Sequence, residues 1–122
     1  MDEIKEQVKN VIEELKKEEK VLAIILCGSR EKGYERESSD IDICVVAPEG
    51  GKNIFEKILK LMQNERIDIK LFEDLPLFLK IKIIEEGKAI FVRDENKLFE
   101  YFSLIRKIWE DEKIASEKIS KI

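Results

Sequence analysis

Two short apolar runs, Val21–Leu26 and Ile41–Ala47, stand on either side of a polar stretch that opens on Gly28-Ser29 and closes on Asp40-Ile41-Asp42. Runs of this length that stop at glycine or proline fit strands buried in a sheet and are too short for core helices. On a strand the side chains alternate between faces, so Asp40 and Asp42 project to one side while Ile41 and Ile43 point to the other. Neighbouring carboxylates repel unless a cation joins them. Gly28 lets a phosphate approach the backbone closely, and the N–H groups of the turn that follows a strand point toward such a group. Ser29 adds a hydroxyl to the same cradle. Arg30 and Lys32 are cations that either reach phosphate oxygens or stay solvated, and Gly33 lets the chain turn back. The stretch from Gly28 to Asp42 therefore reads as a place that holds a phosphate and a divalent metal together.

Around it the chain alternates helix and strand patterns. From Asp2 to about Glu19, Ile4, Val8, Val11, Ile12 and Leu15 recur at helical spacing. Residues 29 to 39 predict a short helical turn and a loop. After the break at Pro48-Glu49-Gly50-Gly51, Ile54, Phe55, Ile58, Leu61 and Met62 form one helix face, with Met62 as a core filler. A strand follows over Arg66–Phe72, with Ile67, Ile69 and Leu71 on one side and Arg66, Asp68 and Lys70 on the other. A solvated face with local ion pairs is enough to account for Asp68 between its two bases. Asp74 predicts the cap of a helix that turns Leu77, Phe78, Ile81 and Ile84 inward and stops at Gly87. Ala89–Val92 is a fourth strand, and Asp94 caps a long helix carrying Leu98, Phe99, Phe102, Ile105, Ile108 and Trp109. Beyond Glu110 the apolar pattern thins, so residues 111–122 are either a frayed end or an arm that packs on a partner. The expectation is an α/β (α+β) fold, a small mixed sheet of about four strands flanked by helices.

With 122 residues, 43% of them hydrophobic, the chain is expected to form one domain over residues 1–122. No stretch is apolar enough to span a membrane, and a charged start argues against a secretory signal, so a cytoplasmic protein is expected. Charged residues make up 41% yet the net charge is −4. No basic surface emerges, and direct nucleic-acid binding is not expected. The chain has no histidine, which removes Ser-His-Asp and Cys-His nucleophile activation and leaves the chemistry to carboxylates. Cys27 and Cys44 read as free thiols in strands, with a disulfide between them as a lesser alternative. Mg(II) takes a few carboxylates plus phosphate oxygens and water. A third carboxylate completes a site for two ions roughly 3.5 to 4 Å apart, and Asp68 is the candidate.

Gly28-Ser29, a ten-residue interval and Asp40-Ile41-Asp42 match the signature of the DNA polymerase beta-like nucleotidyltransferase superfamily. Its minimal nucleotidyltransferase branch typically shows Gly-Ser-Arg-x-x-Gly and then Ser-Asp-Ile-Asp. This chain resembles it in Gly28-Ser29-Arg30, Gly33 and Ser39-Asp40-Ile41-Asp42. Ile67-Asp68-Ile69 and the run Glu86-Gly87-Lys88-Ala89-Ile90-Phe91 extend the likeness over about residues 20 to 100, while Glu31 stands where the branch often has alanine. The resemblance implies the nucleotidyltransferase fold and transfer of a nucleoside monophosphate from an NTP to a hydroxyl. Gly28, Ser29 and Arg30 would then be nucleotide-binding, and Asp40, Asp42 and Asp68 catalytic and metal-binding, with two Mg(II) ions. Nucleotidyltransferases of this size resemble the antitoxins of HEPN/MNT toxin-antitoxin modules, which implies transfer of AMP from ATP to a HEPN-domain RNase toxin, within a homodimer or hetero-oligomer. The alternatives are a small-molecule alcohol as acceptor, or an antitoxin that neutralises its partner by binding alone.

Overall fold

The computed structural model describes residues 2–27, 41–62 and 66–120, with side chains described over 5–27, 41–62 and 66–114. The order is α1 (Asp2–Lys16), β1 (Ala23–Cys27), β2 (Ile41–Val46), α2 (Gly51–Leu61), β3 (Ile67–Leu71), a 3-10 turn (Phe72–Asp74), α3 (Leu77–Glu86), β4 (Lys88–Val92) and α4 (Glu95–Ser120). The strands form a mixed sheet in the order β3-β2-β1-β4. β1 runs antiparallel to both β2 and β4, and β2 runs parallel to β3 through the α2 crossover. A parallel pair needs such a crossover because its strand ends lie a full strand length apart.

Strand parity sorts the side chains into two cores. Ile24, Ile43, Val45, Ile67 and Ile69 pack with Val11 and Leu15 of α1 and Ile54 and Ile58 of α2. Ala23, Ile25, Cys44 and Val46 pack on the other face with Phe72, with Ile81 and Ile83 of α3, and with Ile105 of α4. No polar or charged side chain is buried among the described residues. Each buried Ile, Leu or Val contributes on the order of 1.5–3 kcal/mol by leaving water, so the apolar strands drive assembly of the sheet and its helical covers.

Polar contacts then fix the helices in place. Lys57 on α2 reaches Glu14 at 3.1 Å and Glu18 at 3.8 Å. Arg93, just past β4, donates from Nε to the Val21 carbonyl at 2.8 Å and from Nη2 to the carbonyls of Lys16 (2.6 Å) and Glu18 (3.0 Å). The Lys16 carbonyl is one that the end of α1 leaves without a helical partner. Gly87 closes α3 at a close approach, since a Cβ there would fall 2.5 Å from Ile25 Cγ2 and 2.6 Å from the Ile83 oxygen.

Several expectations shift. Asp74 lies in the 3-10 turn, and α3 begins instead after Pro76, without a side-chain cap. Pro76 supplies a fixed φ and has no N–H to satisfy. Phe78 is 60% exposed, and Ile83 is buried in its place. With Leu77, Phe78, Leu79, Ile81, Ile83 and Ile84 all in α3, pattern does not fix which way the helix faces. Phe55 and Met62 are exposed, so Met62 is no core filler, and Phe99 and Ile108 also point outward. Each lies beside the stripe that the sheet covers. The cap by Asp94 stands: its Oδ1 accepts from the Lys97 N–H at 3.1 Å. α4 continues past Glu110 to Ser120. Cys27 and Cys44 form no disulfide.

Candidate active site

β1 ends at Cys27, immediately before Gly28-Ser29, and β2 begins at Ile41, directly after Asp40. Gly28, Ser29, Arg30 and Asp40, with Lys32, Gly33 and the expected helical turn, lie outside the described residues. The structure places the other two site candidates together. Asp42 pairs with Cys27 across the antiparallel β1–β2 ladder and with Asp68 across the parallel β2–β3 ladder. Cross-strand partners share a face and neighbouring strands are about 4.8 Å apart, so Cys27, Asp42 and Asp68 form a row across one end of the sheet. The row lies on the face that carries Cys44 and Val46, toward α3 and α4.

The backbone holds this arrangement at its edge. The Ile41 N–H donates to the Arg66 carbonyl at 2.8 Å, which fixes the β2–β3 register one residue before the carboxylates. A slip of one residue would send them to opposite faces. The Cys27 thiol donates to the Asp42 carbonyl at 3.7 Å, leaving the Asp42 carboxylate outside that contact. Asp42 and Asp68 are both half-buried. Lys70, on the same side of β3, brings Nζ to 3.7 Å from Asp68 Oδ2. This is the local ion pair that an alternating acid-and-base strand predicts, and it stands at a candidate site position.

Oxygen donors side by side in a half-buried setting suit a hard divalent cation. Asp42 and Asp68 are two such donors; among the described residues alone no group of three completes a metal site. A cleft among the described residues lies elsewhere. It has a volume of about 670 Å³ and is lined by Leu22, Pro48, Arg93, Asp94 and Tyr101, at the end of the strands opposite the carboxylates. Behind the sheet, Glu73 accepts from the Ala47 N–H at 3.0 Å and from the Tyr101 hydroxyl at 2.8 Å. Burial, then the neighbouring Glu73, pushes the Tyr101 hydroxyl well above its ordinary range, and burial does the same to the Cys44 thiol. Neither group ionises near neutrality. The sequence pattern places Lys70 beside Asp68 on one strand, but not Cys27 beside Asp42, because only strand register brings that pair together.

The model of the family described as Polymerase beta, Nucleotidyltransferase matches residues 9–96. The chain belongs to this family. Over 92 residues it is 46% identical to a Methanocaldococcus jannaschii protein provisionally named protein adenylyltransferase MJ1547, covering 75% of this chain and 72% of that one. Among solved structures, a chain of the tri-AMPylated Shewanella oneidensis HEPN toxin in complex with MNT antitoxin superposes with a TM-score of 0.66 at 20% identity, covering 96% of this chain and 95% of that chain. A chain of a toxin-antitoxin structure with AMP-PNP gives a TM-score of 0.69 at 21% identity over 95% of this chain and 94% of that one. At such identities the superpositions show the nucleotidyltransferase fold. Family and relative together make the protein a nucleotidyltransferase.

Proposed function

We propose that this chain is a Mg(II)-dependent protein adenylyltransferase that transfers AMP from ATP to a hydroxyl of a HEPN-domain partner, as the antitoxin of a two-component module. The pairing of Asp42 with Asp68 across β2 and β3 carries this reading. The provisional name of the M. jannaschii relative supports the protein acceptor. The likeness to HEPN–MNT complexes supports the partner.

In this reading Gly28, Ser29 and Arg30 hold the triphosphate, Asp40 and Asp42 hold two Mg(II) ions, and Asp68 holds the ion on the acceptor side. When bound, Mg(II) supplies positive charge against the oxygens that become negative during transfer. The acceptor oxygen forms a bond to the α-phosphorus while the bond from that phosphorus to the pyrophosphate oxygen breaks. Pyrophosphate leaves with the electron pair. Asp68 stands where a carboxylate can receive the hydroxyl proton, directly or through water. The remaining work of the chain is positioning, which a sheet fixed by ladder hydrogen bonds performs well.

The test is transfer of label from α-labelled ATP to a HEPN-domain protein encoded in the neighbouring reading frame, with Mg(II). Asp42→Asn and Asp68→Asn are each expected to lower labelling by about a hundredfold or more, in the range seen when a charge-stabilising group is lost. Labelling at the wild-type rate in both variants overturns the proposal.

A further inference from the structure

We infer that Lys70 is a built-in counter-ion of the carboxylate row, whose ammonium occupies the cation position at Asp68 until metal and nucleotide arrive together. The inference rests on the nucleotidyltransferase site proposed above and adds to it a residue that controls when the metal loads.

The placement follows from the strand. Lys70 lies two residues beyond Asp68 on β3 and therefore on the same face. Its partner in register on β2 is Cys44, a fully buried residue whose thiol is held neutral by burial. Cys44 therefore offers the ammonium no charge. The next carboxylate along the chain, Glu73, is occupied by the Ala47 N–H and the Tyr101 hydroxyl. Lys70 instead turns toward the row, with Nζ 3.7 Å from Asp68 Oδ2. Asp42 is the diagonal neighbour of Lys70 across β2, within reach of a long side chain.

The exposure of the pair decides what it can do. The Lys70 side chain is 47% exposed and that of Asp68 37%, so solvent screens the contact and favours it by no more than about fivefold. A lysine ammonium is a compact charge on a flexible stem. It can therefore leave a carboxylate easily when a divalent ion competes, and phosphate oxygens offer it a new partner. Until then it lowers the repulsion between the carboxylates and weakens the hold of the site on a bare ion. The expected consequence is metal binding that depends on nucleotide.

The experiment is titration of the full chain with Mn(II) alone, followed by the EPR signal of free Mn(II), and repeated with AMP-PNP. Lys70→Met is expected to bind Mn(II) alone about fivefold more tightly than wild type and to gain less from AMP-PNP. Lys70→Gln should behave in the same way, and Lys70→Arg should stay near wild type. Asp68→Asn should weaken Mn(II) binding in every background. If Asp68→Asn weakens binding while Lys70→Met and Lys70→Gln bind as wild type or more weakly, the role of Lys70 is overturned and the metal site stands. If Asp68→Asn binds Mn(II) as wild type does, the metal-site reading is overturned and the inference with it.

Discussion

Cys44 and Tyr101 show how single groups on the α3/α4 side of the sheet make the fold sensitive to alkali. Burial pushes both groups above their ordinary values, and Glu73 adds to the effect at Tyr101. In the unfolded chain a thiol ionises near pH 8.5 and a phenol near pH 10, both at about these values. The folded state binds these protons more tightly than the unfolded state does. Their contribution is therefore fully present below about pH 8.5 and is lost as pH rises toward the folded values. Unfolding free energy from urea melts should fall between about pH 8.5 and 10, and Cys44→Ala should flatten that slope whatever it does to the absolute stability. A slope equal to wild type in Cys44→Ala would contradict the assignment. The same burial makes Cys44 unreactive toward thiol reagents in the folded protein.

Elements are joined here by a few contacts that link distant parts of the chain. Arg93 reaches from the end of β4 to three carbonyls between Lys16 and Val21, and its guanidinium lies 5.1 Å from the Phe91 ring centroid. Arg93→Met keeps much of the stem but removes every donor. It is expected to destabilise the protein by about 1–3 kcal/mol, read as a lower urea midpoint at unchanged slope. Hydrogen exchange should quicken first at the end of α1. The packing of α3 against β1 depends in the same way on Gly87, where a side chain would meet Ile25 and the Ile83 carbonyl. Register is a further property of this scale: the Ile41–Arg66 hydrogen bond lies at the mouth of the site, so what stabilises the β2–β3 pair also aligns Asp42 with Asp68.

In the molecule as a whole, the carboxylate row stands at one end of a sheet whose two faces are closed by separate apolar cores. Folding and the proposed metal binding would therefore draw on different parts of the protein. Chelation with EDTA is expected to abolish AMP transfer. The melting temperature should fall by no more than a few degrees, the loss of ligand stabilisation at modest saturation, about 1 kcal/mol or less. Circular dichroism melts with and without Mg(II) check this, and unfolding on chelation would show the ion to be structural. No helix among the described residues is long and apolar enough to cross a membrane. Phe78, Phe99 and Leu104 on α3 and α4 are exposed.

The order of helices and strands and the helix ends at Asp94 and Gly87 are legible in the sequence. Short apolar runs, helical periods and carboxylates at strand starts are local patterns, and local patterns survive without knowledge of neighbours. Where α3 offers apolar residues around most of its circumference, the pattern loses its phase, and it points Phe78 inward although Phe78 is exposed. Met62 and Phe99 were misplaced at the margins of stripes whose width depends on how far the sheet reaches. Tertiary structure alone decided the partners. It set Cys27 beside Asp42, Asp42 beside Asp68 and Arg93 at the end of α1. These residues are separated in the chain by loops and a crossover helix, and only hydrogen-bond register brings them together. Of the candidate site residues described, strand pairing places Asp68 of β3 beside Asp42 of β2.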